Sequence, residues 1–149
     1  MTLAAGPRRV GALRAAVLLL ACLLPAPAPA ASFRPVAVFL DSGDQLLAAY
    51  QVEIIAHGAE IVGVEGGEHR AFRDAPYYDP AALQGGRIVI AAFNTGSDLP
   101  HGKTRVATLH MRETEVSPNY EITLIAAASA GGARITPTVS LDREQGGVR

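Results

Sequence analysis

The chain has 149 residues, a formal net charge of −1 at pH 7 and a single cysteine. That length accommodates one domain and little more. The near-balanced charge gives no basic patch suited to nucleic acid or to an anionic membrane surface, and one cysteine cannot form an intrachain disulfide.

Residues 1–30 have the organisation of a secretory signal peptide. A basic head precedes the apolar run AAVLLLACLL, and Ala28 and Ala30 stand three and one positions before a cut that would leave Ala31 at the new amino terminus. The run is much shorter than the about 20 residues that a membrane-spanning helix needs. We therefore expect cleavage and an exported protein, in the periplasm, at the cell surface or outside the cell. No later stretch is apolar enough to span a membrane.

Cys22 lies inside the apolar run, so a lipoprotein anchored through Cys22 is an alternative. Leucine next to the alanine before Cys22 and a shortened apolar run make ordinary cleavage the better fit. Cleavage would remove the cysteine and three arginines, leaving 10 basic and 14 acidic residues. A mature chain without cysteine has no thiol chemistry and must be stabilised by its packed core.

Seven segments of the mature chain have the composition or alternation of β-strands. Glycine-rich and polar turns separate them, and no segment has convincing helical periodicity. In chain order they are VAVFL (36–40), LLAAYQVEIIA (46–56), AEIVGVEGG (59–67), GRIVIAAF (86–93), RVATLHMR (105–112), YEITLIAAA (120–128) and ARITPTVSL (133–141).

Three of these segments permit finer predictions. The alternation in 46–56 puts Leu46, Ala48, Tyr50, Val52 and Ile54 on one buried face. The segment 86–93 is apolar on both faces, which indicates a strand in mid-sheet or one covered by a long loop. Proline within 133–141 indicates a sheet edge.

The fold class that follows is all-β, a single antiparallel β-sandwich of jelly-roll or Greek-key type. We place the domain at 33–141 and expect a flexible tail at 142–149. In the long connection, DPAAL (79–83) predicts a single helical turn capped by Asp79.

The order of segments resembles that of the cohesin-like sandwiches, a group that also includes bacterial carbohydrate-binding modules. The resemblance covers about residues 35–141 and is carried by LAAYQVEI, AEIVGVEGG, GRIVIAAFNTG, DLPHGKTRVATLHMR and YEITLIAAASAGG. It implies the sandwich architecture and a protein-binding or carbohydrate-binding role. The segments PYYDPAAL, GRIVIAAF and DLPHGKTRVATLH are also similar to small exported bacterial proteins, a resemblance that implies no activity.

No catalytic or metal-binding pattern stands out among the polar residues. The four histidines lack metal-ligand spacing, and no serine has the surroundings of a nucleophile. The densest acid–imidazole cluster is Glu65, Glu68 and His69, for which a solvated turn is the ordinary expectation. Loop carboxylates leave calcium open as a ligand, although turn and capping roles explain them equally well; they are Asp41, Asp44, Asp74, Asp79 and Asp98. We expect no enzymatic activity and no cofactor.

The segment AFRDAPYYDPAAL (71–83) is the best candidate for a binding surface. It has three of the chain's eight aromatic residues, and Tyr77 and Tyr78 could stack on sugar rings or anchor a protein partner. Arg73, Asp74 and Asp79 would supply hydrogen bonds. The alternative is a loop that folds back on the core, in which Phe72 and one tyrosine are buried and the other tyrosine is exposed.

The sequence thus predicts a non-catalytic, exported binding or assembly module. Its leading predicted role is protein–protein interaction at the bacterial envelope, with an unknown protein as the partner. The alternative is polysaccharide binding through the Tyr77 and Tyr78 loop.

Overall fold

Alternating apolar and polar residues produce seven strands in the computed structural model, which describes residues 1–3 and 30–143. The predicted signal peptide therefore lies outside the described residues except at its ends, and so does the tail beyond 143. The strands are β1 (Ser32–Asp41), β2 (Leu47–His57), β3 (Ala59–Gly66), β4 (Arg87–Phe93), β5 (Lys103–Glu113), β6 (Asn119–Ser129) and β7 (Thr138–Arg143).

The strands form two antiparallel sheets that pack face to face. One sheet has four strands in the order β3-β5-β1-β7, and the other has three in the order β4-β2-β6. Successive strands alternate between the two sheets, so every connection between consecutive strands crosses the sandwich. No strand therefore pairs with the strand that precedes or follows it in the chain. The predicted all-β antiparallel sandwich is confirmed.

Aliphatic side chains from both sheets fill the space between them. Each fully buried aliphatic side chain contributes about 1.5–3 kcal/mol relative to an exposed one. The largest of these side chains are Leu40, Leu47, Ile54, Ile61, Ile88, Ile90, Leu109 and Met111.

The predicted buried face of β2 is wrong at its first two positions. Leu47 is fully buried, whereas Leu46 is 38% exposed and Ala48 is half-buried. The pairing of β2 with β6 shifts register between Leu47 and Ala49. Because an extra residue in one strand reverses the alternation of faces, the predicted pattern holds only from Tyr50 onward.

The segment 86–93 is an edge strand, not a central one. Strand β4 pairs with β2 on one side, and on its other side the long connection from β3 covers it through Tyr77. Of the two positions that the sequence left open, the mid-sheet position is wrong; the long connection lies along the edge of the strand and leaves its outer face open at Phe93.

The segment 133–141 also divides between the two sheets. Its start pairs with the end of β6 through Ile135, whose N–H donates to Ala127 at 3.0 Å. The chain then crosses at Pro137 and enters β7, the edge strand next to β1. The predicted edge is confirmed, but the strand begins after the proline because proline cannot donate a ladder hydrogen bond.

Strand β7 extends beyond the predicted end of the domain. Asp142 pairs with Ala37 and Arg143 with Val36, so these two residues belong to the sheet and not to a flexible tail. Their alternation was hidden in the sequence because both side chains are charged and exposed at a sheet edge.

The connection from β3 to β4, residues 67–86, closes one side of the sandwich. It leaves the edge of one sheet and ends at the edge of the other. Near its end, Gln84 donates to the carbonyl of Ile61 in β3 at 2.7 Å, and Gly86 accepts from Ala56 in β2 at 2.7 Å. The predicted candidate segment lies within this connection.

Candidate functional site

The first part of the connection is anchored in the core by Phe72. A short 3-10 turn, Arg70–Phe72, is capped by His69, whose Nδ1 accepts from Ala71 at 3.2 Å. The Phe72 ring is 2% exposed and packs edge-to-face on Tyr50, with ring centroids 5.3 Å apart. This part of the segment is therefore structural, as the fold-back alternative predicted.

The two adjacent tyrosines point in opposite directions. Tyr77 extends along β4, where its N–H donates to Ala91 at 2.7 Å and its carbonyl accepts from Ala91 at 2.9 Å. Its ring is 72% exposed, while Tyr78 is half-buried and packs against the core. The expectation of one exposed and one buried tyrosine is confirmed, and the two rings form no common platform.

The polar residues of the predicted site are exposed, and two kinds of local contact involve them. The backbone carbonyls of Arg73 and Asp74 approach Gly66, and both side chains point to solvent. Asp79 caps a second 3-10 turn, Pro80–Ala82, by accepting from Ala81 at 2.9 Å. The predicted capped turn is confirmed, and it occupies one oxygen of the Asp79 carboxylate.

A second aromatic residue completes an exposed apolar surface with Tyr77. Phe93, at the end of β4, is 66% exposed, and its ring is nearly parallel to that of Tyr77 at a centroid distance of 6.3 Å. Beside the two rings lies an open concavity of about 290 Å³ on the outer face of the three-stranded sheet. We call this surface the Tyr77–Phe93 face; alanines line most of it, namely Ala49, Ala91, Ala92, Ala126, Ala127 and Ala128.

The register of the three strands explains how this face is built. Ala49 in β2 lies between Phe93 of β4 and Ala128 of β6, and one row further Gln51 lies between Ala91 and Ala126. The four alanines on these two rows leave a trough beside Gln51 and Phe93, because residues opposite one another on a sheet face are close neighbours. Exposed aromatic rings border the trough on the β4 side.

Phe93 and the alanine rows were not predicted from the sequence. One signal was present: segment 86–93 is apolar on both faces, and in a two-layer sandwich every strand turns one of its faces outward. The pairing that joins Ala49 to Phe93 and Ala128 joins residues more than 30 positions apart and is not readable from local alternation.

The acid–imidazole cluster Glu65, Glu68 and His69 comes together only in part. Glu65 lies 3.0 Å from Nε2 of His110, and Glu68 accepts from the backbone of Arg105 at 3.0 Å. His69 turns away to its own 3-10 turn, with Nε2 3.6 Å from Asp98. Glu68 and His69 line one open, polar concavity with Asp98 and His101, and Glu65 is not among its lining residues.

The loop aspartates mostly have local structural roles. Asp41 accepts from Gly43 at 3.0 Å within the β1–β2 turn, and Asp98 pairs with Arg70 at 3.0 Å. Among residues 1–3 and 30–143, no three histidine, aspartate or glutamate side chains are grouped so that they could hold a metal ion. In the same part of the chain, no helix is long and apolar enough to cross a membrane.

Two phenols, the buried Tyr50 and the half-buried Tyr120, have perturbed acidities. Burial raises the pKa of Tyr50, whose hydroxyl donates to the carbonyl of Val106 at 3.2 Å. Burial, together with the nearby carboxylate of Glu113, raises the pKa of Tyr120 to about 12. Burial also acts to raise the pKa of Glu113, but hydrogen bonds from Tyr120, Ser32 and Arg34 outweigh it, and that pKa is lowered. Tyr120 and Glu113 lie at the end of the core, away from the Tyr77–Phe93 face, whereas Tyr50 lines that face and directs its hydroxyl into the core.

Comparison with solved structures gives a significant match to a non-cellulosomal cohesin from the hyperthermophilic archaeon Archaeoglobus fulgidus. The match has a TM-score of 0.53 at 15% sequence identity and covers 72% of this chain and 75% of that chain. The fold is cohesin-like. No protein-family model and no curated protein matches the sequence. At this identity the likeness concerns the cohesin-like architecture alone.

Proposed function

We propose that the protein is a non-catalytic, exported module that binds a protein partner through the Tyr77–Phe93 face. The observation that carries the proposal is the exposed pair of Tyr77 and Phe93 rings beside an alanine trough. Exposed aromatic residues next to an apolar concavity are typical of protein–protein anchors. The matched protein is described as a cohesin, and this supports a binding role for the same architecture here.

The chemistry of the trough favours a protein partner over a sugar. Of its lining side chains, only Gln51 and the hydroxyls of Tyr50 and Tyr77 are polar, and Tyr50 is directed into the core. Sugar recognition needs several convergent hydrogen-bonding groups in addition to a stacking ring. An apolar side chain of a protein partner would instead fill the trough without leaving polar groups unpaired.

Polysaccharide binding is the second candidate, with a pair of aromatic residues that differs from the predicted pair of Tyr77 and Tyr78. Tyr78 packs against the core, so Phe93 replaces it beside Tyr77. The exposed rings of Tyr77 and Phe93 support this candidate, because an exposed aromatic face can stack on a sugar ring.

The proposed location is the bacterial envelope, after removal of residues 1–30. It is supported by the signal-peptide pattern and by the exposure of Ala30 and Ala31 immediately before β1. An accessible site between Ala30 and Ala31 suits cleavage by a processing peptidase. Lipidation at Cys22 remains the alternative, and mass spectrometry of the exported protein distinguishes the two.

A pull-down from the native organism's envelope extract tests the proposed function. The baits are the chain from Ala31, its Tyr77→Ala/Phe93→Ala variant, and Phe33→Ala as a matched control. Phe33 is 72% exposed and lies on β1 in the four-stranded sheet. We expect a stoichiometric partner with the wild type and Phe33→Ala, and its loss with the double variant.

Retention on a polysaccharide gel separates the second candidate. If the wild type is retained there and the double variant is not, while no protein is captured, the face binds sugar. If a partner is captured equally by all three baits, the Tyr77–Phe93 face is not the binding surface.

A further inference from the structure

A polar cluster closes one end of the hydrophobic core, where β1 begins. At its centre Glu113, the last residue of β5, is only 8% exposed. One carboxylate oxygen accepts from the Ser32 hydroxyl at 3.0 Å, and the other accepts from the Tyr120 hydroxyl at 2.9 Å. Nε of Arg34 lies 3.4 Å from each oxygen.

This carboxylate has capacity for another donor. An ionised carboxylate offers about four acceptor positions, and among the described residues three groups, on Ser32, Arg34 and Tyr120, each direct one donor to it. Ser32 lies directly opposite Glu113 in the β1–β5 pairing and turns its side chain to the carboxylate. The backbone immediately before Ser32 therefore enters the sandwich beside a buried negative charge.

We infer that Glu113 is a binding site for the amino-terminal ammonium that cleavage before Ala31 would create. Ala31 is one residue from Ser32, and consecutive Cα atoms are about 3.8 Å apart, so the new terminus begins within a short reach of the cluster. In the precursor the same nitrogen is a neutral amide. Maturation thus adds a charge-assisted hydrogen bond and stabilises the domain. The inference rests on the predicted cleavage site and is independent of partner binding.

The charged and titratable groups around Glu113 define the pH range of the effect. Arg34 faces it from β1 and Tyr120 from β6, while Arg143 of β7 lies over the Tyr120 ring at 4.7 Å. A terminal amine has an ordinary pKa of about 7.7–8.0, which the carboxylate raises. The added stability is therefore fully present just below about pH 7.7, and it is lost as the pH rises through the raised pKa of the amine. It is also lost in acid, where Glu113 becomes protonated.

Thermal unfolding of two forms of the chain from Ala31 tests the inference. This chain has every buried hydrophobic residue of the described core, from Val36 to Ile135. The forms differ only in acetylation of the Ala31 amine. At pH 6.5 we expect the free amine to have the higher Tm, by about 2–4 °C, and at pH 10 no difference. Equal Tm values at pH 6.5 would overturn the inference.

Two carboxamide variants assign the effect to one carboxylate. Glu113→Gln should abolish the difference between the two forms, whereas Glu121→Gln, at an exposed position of β6, should preserve it. If the difference persists in Glu113→Gln, the ammonium binds elsewhere. If Glu113→Gln does not fold, NMR measurement of the pKa of the Ala31 amine in the wild type tests the inference instead. A raised pKa supports the site, and a pKa of about 7.7–8.0 overturns it.

Discussion

Tyr77 and Ala91 exchange two backbone hydrogen bonds, of 2.7 and 2.9 Å, and this bridge covers the outer edge of β4. An uncovered edge strand can pair with strands of other chains. The bridge covers that edge with backbone atoms alone, so the Tyr77 ring is left for another role. The connection from β3 to β4 is therefore structural in its backbone and in Phe72, and exposed at Tyr77.

Substitution of Phe72 tests the structural part of this division. Phe72→Ala removes a buried ring from the contact with Tyr50 and should lower the free energy of unfolding by about 3–5 kcal/mol. Tyr77→Ala keeps the backbone bridge and should cost less than about 1 kcal/mol. Urea unfolding measures the free energy of unfolding of both variants. Equal losses of free energy would contradict the assignment of a structural role to Phe72 and an exposed one to the Tyr77 ring.

The close approach at Gly66 gives a second prediction. A Cβ atom at Gly66 would lie 1.9 Å from the carbonyl oxygen of Arg73, a backbone atom that cannot move without shifting the connection. We expect Gly66→Ala to destabilise the domain by about 3 kcal/mol. Gly131→Ala is the matched control, since no atom of the residues that the structure describes lies within 4 Å of its Cβ position. A shift below about 0.5 kcal/mol in both variants would show that the connection is loose.

The buried hydroxyl of Tyr50 links the two sheets and gives a third prediction. It reaches from β2 to the carbonyl of Val106 in β5. Tyr50→Phe leaves that buried carbonyl without the donor and should cost about 1–2 kcal/mol. The measurement is again the free energy of unfolding. An unchanged value would mean that the hydrogen bond contributes no net stability.

Local alternation predicted the seven strands but not the points where the alternation reverses. At β2 the shift between Leu47 and Ala49 moves Leu46 out of the core, a change that depends on pairing with β6. At β5, Val106 and Ala107 are adjacent and both buried, because the pairing with β1 shifts register there. Such bulges are set by distant partners, which a local pattern does not contain.

The candidate site was predictable only in part for the same reason. Tyr77 stood out as an aromatic residue in a long loop, and its exposure follows from the opposite orientation of Tyr78. Phe93 and Ala128 join it only through the β4-β2-β6 register. Alanine carries little signal in a sequence, since it suits both buried and exposed positions.

The polar cluster at the end of the core gives a fourth prediction, on pH. The pKa of Glu113 is lowered from 4.5, so its stabilising contribution is present above about pH 4.5 and is lost as pH falls through the native value. The pKa of Tyr120 is raised from 10.0 to about 12, so its contribution is present below pH 10 and declines between pH 10 and 12.

Variants of Glu113 and Tyr120 separate the loss of stability in acid from the loss of stability in alkali. Unfolding free energies measured across pH should show a weaker acid dependence in Glu113→Gln than in the wild type. Tyr120→Phe should weaken the alkaline decline, which Tyr50 shares because its pKa is also raised. If the unfolding free energy of Glu113→Gln falls in acid as steeply as that of the wild type, Glu113 is not a source of the loss of stability in acid.

The most direct test of the account is the affinity of the recovered partner for a chain whose trough is filled. Ala126→Arg places a charged side chain in the trough and leaves both aromatic rings intact, while Ser140→Arg places one on β7 in the opposite sheet. Calorimetry should show an affinity loss of about tenfold or more for Ala126→Arg, the equivalent of about 1.4 kcal/mol, and none for Ser140→Arg, with both variants folded. Unchanged affinity in Ala126→Arg would contradict the assignment of binding to the Tyr77–Phe93 face.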